Sequence, residues 1–340
     1  MHFAFSPEQL SSRDSVRALL RRACPGSAVR AAWSNEDGDI PALRQGLGEL
    51  GVFGVLAPVE DGGLGMTDLD LVLLLEECGR FAAPGPIAET AAVAVPLLDA
   101  LATGAHRRWL AAIATGEARV AVGLSPLVLG AASADVLLLQ RRDEVHVVER
   151  GAATLEAQRA VDGSRRLCLV TFTPSAATRL SSGPAAGAAL EKALERAAIA
   201  TAAELVGLSR HMLETTVEYV KARHQFGKPI GSFQAVKHHL ADAVVAIEMA
   251  APAVYRAAYA LSLGAPDGGL RASTAKALAS DAATLVARKA LQCHGAIGYA
   301  FENDLHLWMK RAWALAAAWG DAASHRSRVA AKLLAAGDRS

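Results

Sequence analysis

Arg223-His-Gln-Phe-Gly-Lys-Pro-Ile-Gly-Ser-Phe-Gln234 is the stretch whose reading decides the fold. Gly227, Pro229 and Gly231 interrupt a helical periodicity that otherwise runs almost unbroken from Ala188 to Leu334, with a second break near Gly264 to Gly269. Further along, Gln292-Cys-His-Gly-Ala-Ile-Gly-Tyr299 repeats the combination of glutamine, glycines and an aromatic residue. The pattern predicts an α-helical bundle over 183–340, interrupted at those two places.

Upstream the periodicity changes twice. Apolar residues spaced three and four apart in Asp14-Ser-Val-Arg-Ala-Leu-Leu-Arg21 and in Leu69-Asp-Leu-Val-Leu-Leu-Leu-Glu-Glu-Cys-Gly79 predict a helical domain over 1–117. The segment Leu50 to Gly65, rich in glycine, forms an irregular loop within it. Over 118–182 the runs Arg119-Val-Ala-Val-Gly-Leu124, Asp135-Val-Leu-Leu-Leu-Gln140, Glu144-Val-His-Val-Val-Glu149 and Leu167-Cys-Leu-Val-Thr-Phe-Thr173 predict a small β domain. Ser181 to Gly187 reads as a linker into the bundle. The fold class is therefore mainly α with a small β domain.

The bulk numbers exclude several classes. Lys and Arg total 35 against 34 Asp and Glu, a formal net charge of +1, so no strong field points to nucleic acid or an anionic membrane. Cys24, Cys78, Cys168 and Cys293 form no CxxC pair and predict neither a disulfide framework nor a metal site. The N-terminus has no basic region before an apolar run, and no later segment is expected to be apolar over the roughly 20 residues of a membrane span. These features predict a soluble cytoplasmic protein. A hydrophobic content of 52% with 5% aromatics suits close helix packing and large buried interfaces.

The order helical domain, β domain, helical bundle, with these motifs in these places, resembles the acyl-CoA dehydrogenase family over essentially the whole chain. Gly62-Gly-Leu-Gly65 before Leu75-Glu-Glu-Cys-Gly-Arg80 is similar to the family's N-terminal pattern. Arg223-x-Gln-Phe-Gly, Phe233-Gln234, Leu240-Ala-Asp242 and Gln292-x-His-Gly-x-x-Gly-Tyr299 carry most of the resemblance. It implies FAD as cofactor, with these groups reaching across an interface to a neighbour's flavin. Arg223 suits the pyrophosphate, being always charged. Gln225 and Gln292 suit phosphate or adenine edges, and Phe226, Ile230 and Phe233 the adenosine end. Gly295 would let backbone approach closely.

The half of such a site that a subunit keeps for itself is missing. Family members show a Thr-Glu-Pro-like segment and a Trp-Ile-Thr-like segment that hold the isoalloxazine ring. Here Val120-Ala-Val-Gly-Leu-Ser-Pro-Leu127 keeps only Ser125-Pro126 and jumps to Ala132-Ser-Ala-Asp-Val-Leu-Leu-Leu139. The family's chemistry also needs a carboxylate to take the proton α to the thioester. Its two known base positions correspond to Trp319 and Ala197, neither of which accepts a proton. Glu195 lies about 200° around the helix from Ala197, and Glu204 lies about 10 Å along the axis. Asp321 is closer to the first position but suits a helix cap. Ser324-His325-Arg326 is a further candidate contact for a partner or ligand.

The resemblance then implies a non-autonomous subunit, similar to actinobacterial steroid side-chain dehydrogenases built as α2β2 assemblies. The partner subunit would hold the ring, the base and most of the acyl-CoA, and an electron-transfer flavoprotein would accept the electrons. Two other readings stand beside it: a homomeric dehydrogenase with a relocated base, and a catalytically silent scaffolding relative.

Overall fold

The structure, a computed structural model, describes residues 4–337; Met1 to Phe3, part of the N-terminal segment read above, lie outside them. The helices are α1 (Pro7–Ala23), α2 (Gly26–Ala32), α3 (Pro41–Glu49), α4 (Asp68–Arg80), α5 (Val95–Leu101), α6 (Arg107–Ala114), α7 (Gly183–Ala222), α8 (Gln234–Ser262), α9 (Gly268–His294), α10 (Leu305–Ala317) and α11 (Ala322–Gly337). The strands are β1 (Val120–Gly123), β2 (Leu127–Leu129), β3 (Val136–Arg141), β4 (Glu144–Glu149), β5 (Ala153–Gln158), β6 (Leu167–Phe172), β7 (Arg179–Ser182), β8 (His224–Gln225) and β9 (Lys228–Pro229). The fold is helical with a small β portion. Its residues divide into two compact units, 1–74 with 83–197, and 75–82 with 198–340, so that the division cuts α4 and α7.

In the first unit two small sheets enclose one core. β1, β3, β4 and β7 form the first, with β1 parallel to β3 and the other pairs antiparallel; β2, β6 and β5 form the second. Ala121, Leu137, Leu139 and Val148 from the first sheet meet Val128 and Cys168 from the second. β2, β5 and β7 go beyond the four runs legible in sequence. β5 reads Ala-Thr-Leu-Glu-Ala-Gln with mostly half-buried or exposed residues, so its hydrophobic signal is weak. The expected linker is also absent: β7 ends at Ser182 and α7 begins at Gly183. Pro184 is tolerated there because the first turn of a helix has no partner for its N–H groups.

The second unit is a helical bundle organised around a crossing of α4 with α7. A Cβ added to Gly207 would sit 1.9 Å from the Glu76 carbonyl oxygen, and one added to Gly79 2.0 Å from that of Glu204. Only two glycines let these backbones touch. Beside the crossing, the buried Glu76 carboxylate accepts from Arg210 Nε at 2.9 Å and Tyr255 Oη at 2.6 Å, which ties α4 and α7 to α8. Burial raises the Glu76 pKa, against the pull of both donors, and raises that of Tyr255. α8 packs along α9 and buries Ala243, Ile247, Ala250, Val254, Ala257 and Leu261. By length and composition α8 is apolar enough to cross a membrane, contrary to the expectation that no segment is. Alanine accounts for the difference: it raises hydropathy without the bulky apolar run that the eye seeks, and here it serves close helix packing.

Gly207→Ala must therefore push backbone atoms apart, and the expected loss of stability is about 3 kcal/mol, the upper end for overpacking. Urea unfolding followed by circular dichroism measures it; a change within 0.5 kcal/mol, on the order of an ordinary surface substitution, would refute the close crossing.

Candidate functional site

The Arg223 segment is a tight hairpin closed on the end of α7. Arg223 N–H donates to the Tyr219 carbonyl at 2.9 Å, and Ile230 N–H donates to the Arg223 carbonyl at 2.8 Å. β8 pairs with β9, His224 opposite Pro229 and Gln225 opposite Lys228. The two linking residues, Phe226 and Gly227, have φ of +54° and +78°, the signs a type I′ turn requires. Phe226 is thereby carried at the tip with 89% of its surface exposed. Its ring meets Phe233 edge to face at 6.1 Å, and Lys228 Nζ lies 4.5 Å above the Phe233 ring. Arg223 and Gln225 are exposed, Ile230 and Phe233 half-buried.

The second motif lies at the other end of the same contact. The buried His294 ring, near the end of α9, stacks on Tyr219 of α7 with centroids 4.3 Å apart. Its Nδ1 pairs with the Ala290 carbonyl at 2.9 Å, and burial lowers its pKa, so the ring is held neutral. Tyr219 stands four residues before Arg223, and His294 two after Gln292, so one ring stack brings both motifs together. Gln292 is exposed. Gly295 has φ +64° and ψ −143°, a region essentially closed to other residues, and a Cβ there would meet no atom within 4 Å. The backbone bend thus explains this glycine, and the space beyond it is open. Asp242, third of the Leu-Ala-Asp run, accepts from Lys289 Nζ at 2.8 Å, which fixes α8 against α9; the lysine lowers its pKa.

The positions expected to hold a base are closed to that chemistry. Ala197 is buried in α7. Trp319 lies in the turn between α10 and α11 with φ +59°, followed by Gly320 at φ +98°. Three groups lock this turn from inside. The Lys276 ammonium, fully buried, donates to Ser280 Oγ at 3.1 Å, the Ala316 carbonyl at 3.1 Å and the Gly320 carbonyl at 3.0 Å. All three of its protons are used, and the C-terminal carbonyls of α10 suit a cation. Burial brings its pKa down to about 8. The buried His325 Nε2 pairs with the Trp319 carbonyl at 3.1 Å. Asp321 caps α11 through Ser324 N–H at 2.8 Å and Ser324 Oγ at 2.7 Å, and these donors hold its carboxyl below the usual range.

Of the other candidates, Glu204 is buried on α7 at the glycine crossing, while Glu195 is 3.9 Å from Lys192. Ser324-His325-Arg326 is spoken for within the bundle, since Arg326 pairs with Asp281 at 2.6 Å. Ser125 Oγ donates to the Leu127 carbonyl at 3.1 Å and closes a turn of three residues between β1 and β2. A cavity in the first unit is bounded by Arg44, Phe53, Leu129 and Arg166 among others. Sequence reasoning missed Lys276, Tyr219 and the Glu76–Arg210 pair. Their only signal was a charged or aromatic residue on an otherwise apolar helical face.

Exposed cationic, amide and aromatic groups beside an open backbone bend fit the adenosine and pyrophosphate end of FAD; the three-residue β1–β2 turn offers nothing that fits its ring. The chain matches the family Acyl-CoA dehydrogenase, N-terminal domain, over residues 6–117 and Acyl-CoA dehydrogenase, C-terminal domain, over residues 187–334.

The chain belongs to the acyl-CoA dehydrogenase family.

This is a family of FAD-dependent oxidoreductases acting on acyl-CoA. The chain is 34% identical to acyl-CoA dehydrogenase IpdE2 of Mycobacterium tuberculosis, over 90% of this chain and 91% of that protein. It is 36% identical to acyl-CoA dehydrogenase FadE34 of the same organism, over 95% of this chain but 48% of that protein, so it spans about half the length of that relative. Among solved structures, a variant of the Tcur3481-Tcur3483 steroid ACAD superposes with a TM-score of 0.86 at 25% identity, over 98% of this chain and 99% of that one.

His211 of α7 stacks on Trp308 of α10 with centroids 4.1 Å apart, and Trp308 Nε1 donates to the Arg80 carbonyl at 2.9 Å, which sets the helix leading to Trp319. Burial, with Arg80 nearby, lowers the His211 pKa to about 4 from 6.5. A base with a depressed folded pKa stabilises the fold fully above its unfolded value and loses that contribution as pH falls from about 6.5 through 4. Replacing it with the non-titrating aromatic in His211→Phe should reduce the loss of unfolding free energy between pH 7.5 and 4.5 by roughly 2 kcal/mol. Parallel urea titrations at the two pH values measure this.

Proposed function

We propose that this chain is the non-autonomous subunit of a heteromeric, FAD-dependent acyl-CoA dehydrogenase. The observation that carries the reading is the pairing of a built and exposed half-site with a closed one. Arg223, Gln225, Phe226 and Gln292 are held together by the Tyr219–His294 stack and point their chemistry outward. Meanwhile Ala197, Trp319 and the capped Asp321 offer no base. In this reading Arg223 meets the pyrophosphate of a flavin whose ring is held by the partner subunit. Gln225 and Gln292 meet phosphate or adenine edges, and Phe226, Ile230 and Phe233 cover the adenosine.

FAD held there would supply the acceptor for the hydride that leaves the β carbon of the acyl-CoA. The α proton passes to a carboxylate of the partner subunit, and an electron-transfer flavoprotein takes up the electrons. This chain's own residues bind and orient; none of them moves a proton. Two relatives support the division of labour. FadE34 has about twice the matched length in one polypeptide, which leaves a second chain's worth of residues for the other half-site. The Tcur3481-Tcur3483 protein is described as a steroid ACAD, and a bulky acyl-CoA, such as a steroid side chain, suits an assembly in which half of the flavin sites are given up for room.

The test is expression of the chain alone and together with the product of an adjacent dehydrogenase-like gene. The lone chain is expected to be colourless and the co-purified assembly yellow, with flavin absorbance equal to one FAD per pair. Full flavin occupancy and turnover by the lone chain would overturn the reading. Within the assembly, Arg223→Ala should weaken FAD retention roughly tenfold or more, the value of a charged hydrogen bond. Retention equal to that of the unaltered assembly would remove Arg223 from the site.

A further inference from the structure

The cavity in the first unit is lined by charge as well as by apolar surface. Asp37, Asp39, Arg44, Arg119 and Arg166 all border it, three guanidinium groups against two carboxylates, so one positive charge is left over. The buried side chains of Leu47, Phe53 and Leu129 supply apolar lining. Arg44 and Leu47 stand on α3, Asp37 and Asp39 on the loop before it, and Arg119 and Arg166 immediately before β1 and β6.

The backbone around these groups is fixed by contacts of its own. Gly38, with φ of +65°, lies so close to the segment carrying Arg166 that an added Cβ would overlap the Ser164 carbonyl oxygen. Asn35 Nδ2 donates to the Asp39 carbonyl at 2.7 Å, which closes the loop before α3. Before β6, the buried Asp162 Oδ1 accepts from Ser164 N–H at 3.0 Å and from Ser164 Oγ at 2.8 Å. Arg166 Nη2 joins the two loops by donating to the Trp33 and Asn35 carbonyls.

Held in this way, the cations are loosely matched. Arg44 Nε stands 3.5 Å from Asp39 Oδ2, and Arg119 Nη1 3.5 Å from Asp37 Oδ2. Arg166 pairs, among the described residues, with carbonyl oxygens alone. The Nε–H groups of Arg44 and Arg166 are both buried and, among the described residues, without a hydrogen-bond acceptor, a state that native interiors avoid. Two such donors on one cavity suit a carboxylate, whose oxygens accept from two guanidinium groups at once. Asp37 and Asp39 oppose a second negative charge, which selects a monoanion over a phosphate dianion. The apolar lining then takes a short hydrocarbon body and keeps water from the ion pair.

We infer that the first unit carries a binding site for a small aliphatic monocarboxylate, its charged end held by Arg44 and Arg166 and its chain against Leu47, Phe53 and Leu129. The cavity belongs wholly to the first unit and the flavin-facing motifs to the second, and the inference does not depend on the function proposed above.

Isothermal titration calorimetry of the intact chain with sodium butyrate reads the site directly, with acetate, butyramide and inorganic phosphate as comparison probes. One butyrate per chain is expected, with a dissociation constant on the order of 1 mM. Acetate, two methylenes shorter, should bind roughly tenfold more weakly. Arg44→Gln and Arg166→Gln should each weaken butyrate roughly tenfold or more. Asp37→Asn should tighten it severalfold by removing an opposing charge, an effect that a purely structural role of Asp37 does not produce. Thermal melting checks that each variant is folded, and the series of probes on the unaltered chain decides the matter where a variant is not. Absence of saturable butyrate binding would overturn the inference, as would equal affinity for butyramide or a higher affinity for phosphate. Unchanged butyrate affinity in both folded arginine variants would do the same.

Discussion

The close approach of α4 to α7 at Gly79 and Gly207 is the constraint on which the second unit depends. Carbonyl oxygens lie where a Cβ would have to go, so the two backbones meet with nothing between them. At that distance a charged side chain beside the crossing cannot reach water easily, and Glu76 is buried there. Its carboxylate needs partners, which come from α7 as Arg210 and from α8 as Tyr255. Removing either partner would leave a buried acceptor short of donors, a costly state in a low-dielectric interior. Backbone proximity and side-chain satisfaction therefore fix three helices at once.

From this anchor α7 runs on to Tyr219, where a ring stack replaces the glycine contact. The stack ties the end of α7 to the end of α9 through two rings with centroids 4.3 Å apart, and both helices then break. Each break exposes polar groups that a regular helix would have kept for its own face. The strained tip at Phe226, a bulky residue with φ of +54°, costs conformational energy that the bundle does not need for stability. Within the chain the exposed ring meets Phe233 edge to face.

Much of this was legible in the sequence because helix breakers are local. Gly227, Pro229 and Gly231 marked the hairpin without knowledge of any distant residue, and the resemblance of Arg223 to Phe226 and of Gln292 to Tyr299 named the family. The β5 and β7 strands were not legible, because their side chains are only partly buried and, apart from Thr154, they lack the β-branched and aromatic residues that mark a strand. Lys276 was hidden for a different reason. A lysine on a helix reads as a solvated charge, and its burial becomes visible only when α10 and the following turn present three oxygens to it. Asp321 lay between these cases: its local sequence suggested a cap, and the Ser324 hydrogen bonds make it one.

The turn at Trp319 is held by contacts that do not involve its own side chain. Burying an ammonium and an imidazole beneath a turn is expensive, and nothing about bundle packing alone calls for it. Yet Lys276 and His325 hold the carbonyls of Gly320 and Trp319, and both groups are pulled toward their neutral forms by burial. Such support fixes the backbone between α10 and α11 whatever side chain stands at position 319. The backbone of the turn is thus maintained by Lys276 and His325, and the residue at 319 can change without loosening the packing of α9 against α10 and α11.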